Sequence, residues 1–173
     1  DLGLAGSLCQ AILTTAPDDF DALFVQAQLV EQTGVLEGAL SLYDRAVLIR
    51  PDDTALLVKR GNLLRRLGRP AEALECFDRA AVFLPDHPAV HGNRGIALAE
   101  LQRYADAVDA FAEVLRLRPD DIDTLANRGT MLVRAGKFAA ALEDLDRALA
   151  ARPALLPAIV GRATAYWRLD RHQ

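Results

Sequence analysis

Few residues in this chain have the types and spacing that chemistry requires. His87 and His91 stand four apart with Asp86 beside them, so two imidazoles and a carboxylate fall within one short stretch. A metal site needs at least one further ligand at suitable geometry, and Pro88 separates His87, in a turn, from the helix that carries His91. The expectation is a turn residue and a packed imidazole. Ser7 and Ser41 are the only serines, and neither has a histidine in its own stretch to activate it. Cys9 and Cys76 lie far apart at core positions, where a reduced thiol behaves as a small hydrophobe. No glycine-rich phosphate loop follows a strand. No catalytic residue, no metal and no cofactor is therefore expected, and the chain reads as a non-enzyme.

Two periodic sets of polar residues remain. Asn93 and Asn127 each open an Asn-Arg-Gly triplet, 34 residues apart. A carboxamide donates to one backbone carbonyl and accepts from one backbone amide, so a row of them can hold an extended chain without reading its sequence. The alternative is that both satisfy hydrogen bonds inside the fold. Arg60, Arg94, Arg128 and Arg162 keep the same spacing. An arginine ladder would attract acidic partners, yet Asp44, Asp78 and Asp146 recur alongside. Pairing between helices, with the aliphatic stem packed, is the more economical account.

The elements that must position these residues follow from a register. Pro17, Pro51, Pro85, Pro119 and Pro153 stand at an unbroken spacing of 34, and a strict period of this length signals a repeat architecture. A small residue follows each proline at Ala27, Gly61, Gly95, Gly129 and Ala163. Alanine recurs at Ala39, Ala73, Ala107 and Ala141, then a large apolar residue at Tyr43, Phe77, Phe111 and Leu145. Leu23, Ala27 and Val30 repeat at helical spacing, as do Leu36, Ala39, Leu40, Tyr43, Ala46 and Val47. Gly34, Gly68 and Gly136 fall where a left-handed cap ends the first helix of each pair, and Gln102 holds that place in the third. Asp18–Asp19, Asp52–Asp53 and Asp120–Asp121 are placed to cap the next helix.

The pattern resembles the tetratricopeptide repeat, a helix–turn–helix unit, over essentially the whole chain. One departure is regular: Gln26, Arg60, Arg94, Arg128 and Arg162 stand where the family usually has an apolar residue. The resemblance implies an all-α fold, a right-handed superhelical solenoid of antiparallel helix pairs. Residues 1–173 are expected to form a single array: 1–16 the second helix of a truncated repeat, 17–50, 51–84, 85–118 and 119–152 four full repeats, and 153–173 the first helix of a further repeat or cap. The half-repeats and the missing initial methionine predict a segment of a longer polypeptide.

The resemblance also implies that first helices line a concave groove. Positions turned away from Leu23, Ala27 and Val30 and their equivalents include Phe24, Val25, Gln28 and Glu31, then Val58, Lys59, Asn62 and Arg65. Asn93, Ile96 and Glu100 follow, then Ala126, Asn127, Thr130 and Arg134, and finally Val160, Thr164 and Trp167. The expected peptide-binding residues are Asn93, Asn127, Asn62, Lys59, Phe24, Gln28, Val58, Ile96, Thr130, Arg134 and Trp167. Stacked asparagines at this place look like the ladder of O-GlcNAc transferase. The matching residues Val25, Lys59 and Gly161 leave it incomplete. The chaperone-type carboxylate clamp is excluded, because Val58, Asp123 and Asn127 stand where its basic residues would be.

The leading expectation is a non-catalytic scaffold binding extended peptide segments of a protein partner. One alternative is the substrate-recruiting region of a larger bacterial O-GlcNAc-transferase-like (SPINDLY-type) enzyme, whose transferase domain would follow Gln173. Another is head-to-tail self-association through the terminal half-repeats. A net charge of −4 argues against a nucleic-acid partner, and no apolar run is long enough for a membrane span. A cytoplasmic location is expected. Of twenty basic residues only Lys59 and Lys137 are lysine, which reads as composition bias and not chemistry.

Overall fold

The computed structural model describes residues 2–170. Among them are ten α-helices: α1 Leu2–Thr15, α2 Phe20–Gln32, α3 Leu36–Ile49, α4 Thr54–Arg66, α5 Pro70–Phe83, α6 Pro88–Glu100, α7 Tyr104–Leu117, α8 Ile122–Arg134, α9 Phe138–Ala151 and α10 Leu156–Asp170. The fold is all-α, with helices packed pairwise in chain order. None is long and apolar enough to cross a membrane.

Local chemistry sets the helix ends. The second aspartate of each pair is the N-cap: Asp19, Asp53 and Asp121 accept from the backbone N–H of Ala22, Leu56 and Thr124, each at 2.8 Å. In the third repeat His87 takes that place, and Pro88, the first residue of α6, supplies a preset φ instead of a side-chain cap. The residues before the period-34 prolines leave helical geometry, with φ of −128° at Arg50, −127° at Leu84, −137° at Arg118 and −136° at Arg152. Proline disfavours helical backbone at the preceding residue. Gly34, Gly68 and Gly136 turn out of the first helices at φ of 84°, 73° and 76°. Gln102 adopts the same left-handed geometry at φ 60°, at a cost of roughly 1 kcal/mol that glycine would avoid.

The chain forms two compact units, one ending at Leu84 and the other beginning at Pro85. In the first, α1 packs on α2, α2 on α3, α3 on α4 and α4 on α5. Tyr43, Phe77, Leu56 and Leu64 are fully buried there. In the second, α6 through α10 pack in sequence and α10 also reaches α8, around Leu98, Phe111, Leu125 and Leu145.

The small residues let each helix pair close. A Cβ added to Gly61 would lie 2.7 Å from the Phe77 ring, one on Gly95 2.7 Å from the Phe111 ring, and one on Gly129 2.6 Å from Leu145. In α10 the pattern shifts: Ala163 is exposed, while Gly161 and Ala165 are buried. Among the described residues no second helix covers the Ala163 side, so α10 packs through Gly161 against Leu145 instead. Ala126, expected toward the groove, is buried beside Leu125 and Ala158, because its side chain is short enough to be covered where helices meet.

Candidate functional site

Three polar residues of the first unit, Glu31, Tyr43 and Arg66, are engaged with one another. The Tyr43 hydroxyl donates to Glu31 Oε2 at 3.1 Å, and Arg66 forms an ion pair with the same carboxylate. Burial, then the adjacent Glu31 charge, pushes the Tyr43 phenol well above its ordinary value, with Arg66 pulling the other way. Gln28 donates to the Phe24 carbonyl of its own helix at 3.4 Å. Phe24 is half-buried, stacked on Phe20 at 5.9 Å between centroids and tilted against Tyr43 at 6.0 Å. Lys59 is exposed and, with Gln28, Glu31, Gln32 and Arg66, lines an open concavity of about 300 Å³. Val58 and Asn62 are half-buried and lie outside it.

The arginine ladder is tied into the fold wherever its partners are described. Arg60 Nε donates to Asp44 at 2.7 Å and Nη1 to Cys76 Sγ at 3.0 Å, spanning the preceding second helix and its own. Burial raises the Cys76 thiol above its ordinary value despite this guanidinium. Arg162 reaches back in the same way to Asp146 at 3.2 Å. Arg128 differs: it makes a bidentate pair with Asp144, at 2.6 and 2.7 Å. The position matching Asp44 is Ala112 in its neighbour, so Arg128 turns to its own second helix. Asp144 is 3 % exposed; its hydrogen bond to Arg128 raises the affinity of that guanidinium for its proton. Gln26 stands in the first rung, where register offers only Gln10 and Leu42, and its buried Oε1 has no hydrogen-bond partner.

The second unit brings Asn93, Ile96 and Asn127 together. They line a shallow concavity of about 200 Å³ whose floor includes Phe111 and Val114. Neither carboxamide has a hydrogen-bond partner among the described residues. Thr130 and Arg134 belong to a larger concavity of about 810 Å³, with Tyr104, Phe138, Leu156, Val160 and Arg168 among its walls. Thr130 donates its hydroxyl to the Ala126 carbonyl at 2.8 Å. Trp167 is exposed beside this concavity in sequence but does not line it; the Arg168 guanidinium sits 5.1 Å from its ring centroid.

His91 and Asp86 have structural partners. His91 Nε2 lies 2.6 Å from the Pro85 carbonyl, which requires the proton on that nitrogen. Asp86 pairs with Arg116 at 2.6 Å. Cys9 and Cys76 are buried free thiols. Among the described residues no group of three His, Cys, Asp or Glu side chains is placed to hold a metal ion.

Models described as tetratricopeptide repeat match residues 5–54 and 58–122, and a second such model matches 122–156. The chain belongs to the tetratricopeptide repeat family. Its fold is shared with YrrB, described as a TPR protein with an unusual peptide-binding site: TM-score 0.87 at 21 % identity, over 94 % of this chain and 84 % of that one. A tetratricopeptide repeat protein from Parabacteroides merdae superposes with a TM-score of 0.83 at 20 % identity, over 98 % and 68 %. MamA gives 0.80 at 15 % identity, over 86 % and 81 %. No curated protein sequence matches the chain.

In repeat terms, sequence reasoning missed the contribution of second helices to the groove wall. Tyr104 and Phe138 open α7 and α9 one period apart and both face the concavity of about 810 Å³. The signal was present as an aromatic recurring at a spacing of 34. It was overlooked because the groove was assigned to first helices alone.

Proposed function

We propose that this chain is a non-catalytic protein-interaction scaffold that takes an extended peptide segment along its first helices, with Asn93 and Asn127 gripping the peptide backbone. One observation carries the reading. The two carboxamides share a concavity over an apolar floor and make no hydrogen bond among the described residues, whereas the competing explanation needs them bonded within the fold. The reading treats residues 1–173 as repeats of one array, which the unbroken proline register supports. The description of YrrB as having a peptide-binding site is consistent with it. Family membership fits a partner that is a protein and not a small substrate.

The test is fluorescence anisotropy of short, unstructured, labelled peptides against wild type, an Asn93→Ala/Asn127→Ala variant and Gln28→Ala. Wild type should bind several peptides weakly, and the double variant should lose about tenfold or more, as two backbone hydrogen bonds are removed. Gln28→Ala should bind normally, because that amide is held by its own helix. Equal binding by the double variant, or no binding by wild type, would rule the grip out.

A second reading is head-to-tail self-association. Ile159 and Tyr166 of α10 are 39 % and 54 % exposed, whereas their counterparts one period earlier, Leu125 and Leu132, are 2 % and 6 % exposed. At the other end Leu4 and Leu8 of α1 are 71 % and 61 % exposed. A sedimentation coefficient that stays monomeric at high concentration removes this reading. A third, that the repeats recruit substrates to an O-GlcNAc-transferase-like domain, rests on the Asn-Arg-Gly triplets; sequence after Gln173 lacking a transferase domain removes it.

A further inference from the structure

The concavity of about 810 Å³ in the second unit has a charge pattern that the asparagine grip does not explain. Its walls are apolar, formed by Val133, Phe138, Leu156, Pro157 and Val160. Among the described residues its only charged lining side chains are Arg134 and Arg168, in the last turns of α8 and α10. Although the chain carries 24 acidic residues against 20 basic ones, no described Asp or Glu lines this space. Arg134 has no ion pair or hydrogen bond among the described residues, and Arg168 contacts only the Trp167 ring.

The register explains why these guanidinium groups stand free. Arg66 occupies the matching position of the second repeat and is neutralised by Glu31, 35 residues earlier. The same step back from Arg134 reaches Ala99, and from Arg168 reaches Val133. An apolar residue has replaced the counter-ion at both places. The Tyr104 hydroxyl, also lining the space, has no protein partner among the described residues. Thr130 and Thr164 each donate to a carbonyl of their own helix at 2.8 Å, so their lone pairs face a ligand as acceptors.

We propose that this concavity is a specificity pocket for an acidic peptide, taking an apolar side chain against Phe138, Leu156 and Val160 and flanking Asp or Glu carboxylates on Arg134 and Arg168. A planar guanidinium matches a carboxylate with two parallel hydrogen bonds, and both guanidinium groups are exposed to an incoming chain. The occupant is an extended chain with acidic residues on both sides of one large apolar residue. This rests on the peptide-groove reading and adds its chemistry: the asparagines hold any backbone, and the arginine pocket chooses the sequence.

The test uses three labelled peptides, acetylated and amidated, identical except at their centre: Glu-Phe-Glu, Gln-Phe-Gln and Lys-Phe-Lys. An oligothymidylate is the fourth probe. The acidic peptide should bind about tenfold more tightly than the glutamine peptide at low salt, and that margin should shrink as salt rises. Arg134→Gln should shrink the margin, weakening the acidic peptide more than the glutamine peptide. Arg134→Glu should reverse the preference toward the lysine peptide, a gain that a damaged fold would not produce. If the peptides bind alike, or the margin is undiminished in Arg134→Gln, the pocket assignment is wrong while the asparagine grip stands. If no peptide binds, both fall together. If the oligothymidylate binds as tightly as the acidic peptide and Arg134→Gln weakens both, the groups recognise anions in general, and the peptide assignment is overturned.

Discussion

In the first unit Arg66 reaches Glu31, and Glu31 accepts the Tyr43 hydroxyl. In the second, among the described residues, Arg134 occupies the matching place and meets no carboxylate, and Asn93 and Asn127 have no protein partner. The two stretches have the same period and cores of the same construction, although His87 and Gln102 stand in the second where an aspartate cap and a turn glycine stand elsewhere. They differ at the position of Arg66, which is met by Glu31 in the first unit and by no carboxylate among the described residues in the second. A polar group satisfied internally contributes to holding the fold, and one left unsatisfied at an accessible surface is available to a ligand. The contrast teaches that repetition of the scaffold does not repeat the function.

The sharpest check is that the cores are equivalent. Phe77→Ala and Phe111→Ala remove the same register position from the two units and should each cost about 3–5 kcal/mol, read from urea midpoints at constant slope. Unequal losses would mean that the units differ in packing as well as in their grooves.

The arginine ladder should break that equivalence. Arg128→Ala strands Asp144, which is 3 % exposed, and removal of one partner from a buried pair costs about 3–5 kcal/mol. Arg60→Ala leaves an Asp44 side chain that is already 49 % exposed, so the loss should be about 1 kcal/mol or less. Asp144→Asn in the Arg128→Ala background should recover much of the difference; similar midpoints for the two alanine variants would defeat this account.

A smaller effect is expected at the turn after α6. Gln102→Gly should raise stability by about 1 kcal/mol, because the left-handed backbone there penalises any side chain. Gly68→Gln in the first unit should lower it by a similar amount. Thermal melts of both variants decide the point.

The smallest effect concerns the Glu31–Tyr43 pair. An unfolded tyrosine ionises near 10.0, and the folded phenol resists ionisation. Between those values the folded state holds a proton that the unfolded state has lost, so stability is present below pH 10.0 and falls as pH rises above it. Cys76, raised by burial from its ordinary 9.0, acts with the same sign. On a Cys76→Ala background, Tyr43→Phe should flatten the alkaline fall in melting temperature; an unchanged slope would show that the phenol is not the source.

Much of this molecule was legible before any tertiary contact was known. Helix starts at Asp19, Asp53 and Asp121, the left-handed turns at Gly34, Gly68 and Gly136, and the breaks before each proline depend on a residue and its immediate neighbours in the chain. The close approach at Gly61, Gly95 and Gly129 was legible too, because it recurs at one period. Register alone also placed the paired asparagines.

What remained illegible depends on residues distant in sequence. That Arg128 pairs with Asp144 of its own second helix, and not with the preceding one as Arg60 does, follows from the absence of a carboxylate at Ala112. That Ala126 is covered and Ala163 is not follows from which helices pack beside them. The groove walls at Tyr104 and Phe138 come from second helices, which a one-face reading of the first helices leaves out. The sequence by itself determined the period, the helices and their caps, since short-range sterics and hydrogen bonding act within a few residues. Only the tertiary structure decided which polar groups are neutralised and which stand open, because charge pairing and burial depend on neighbours that folding brings together.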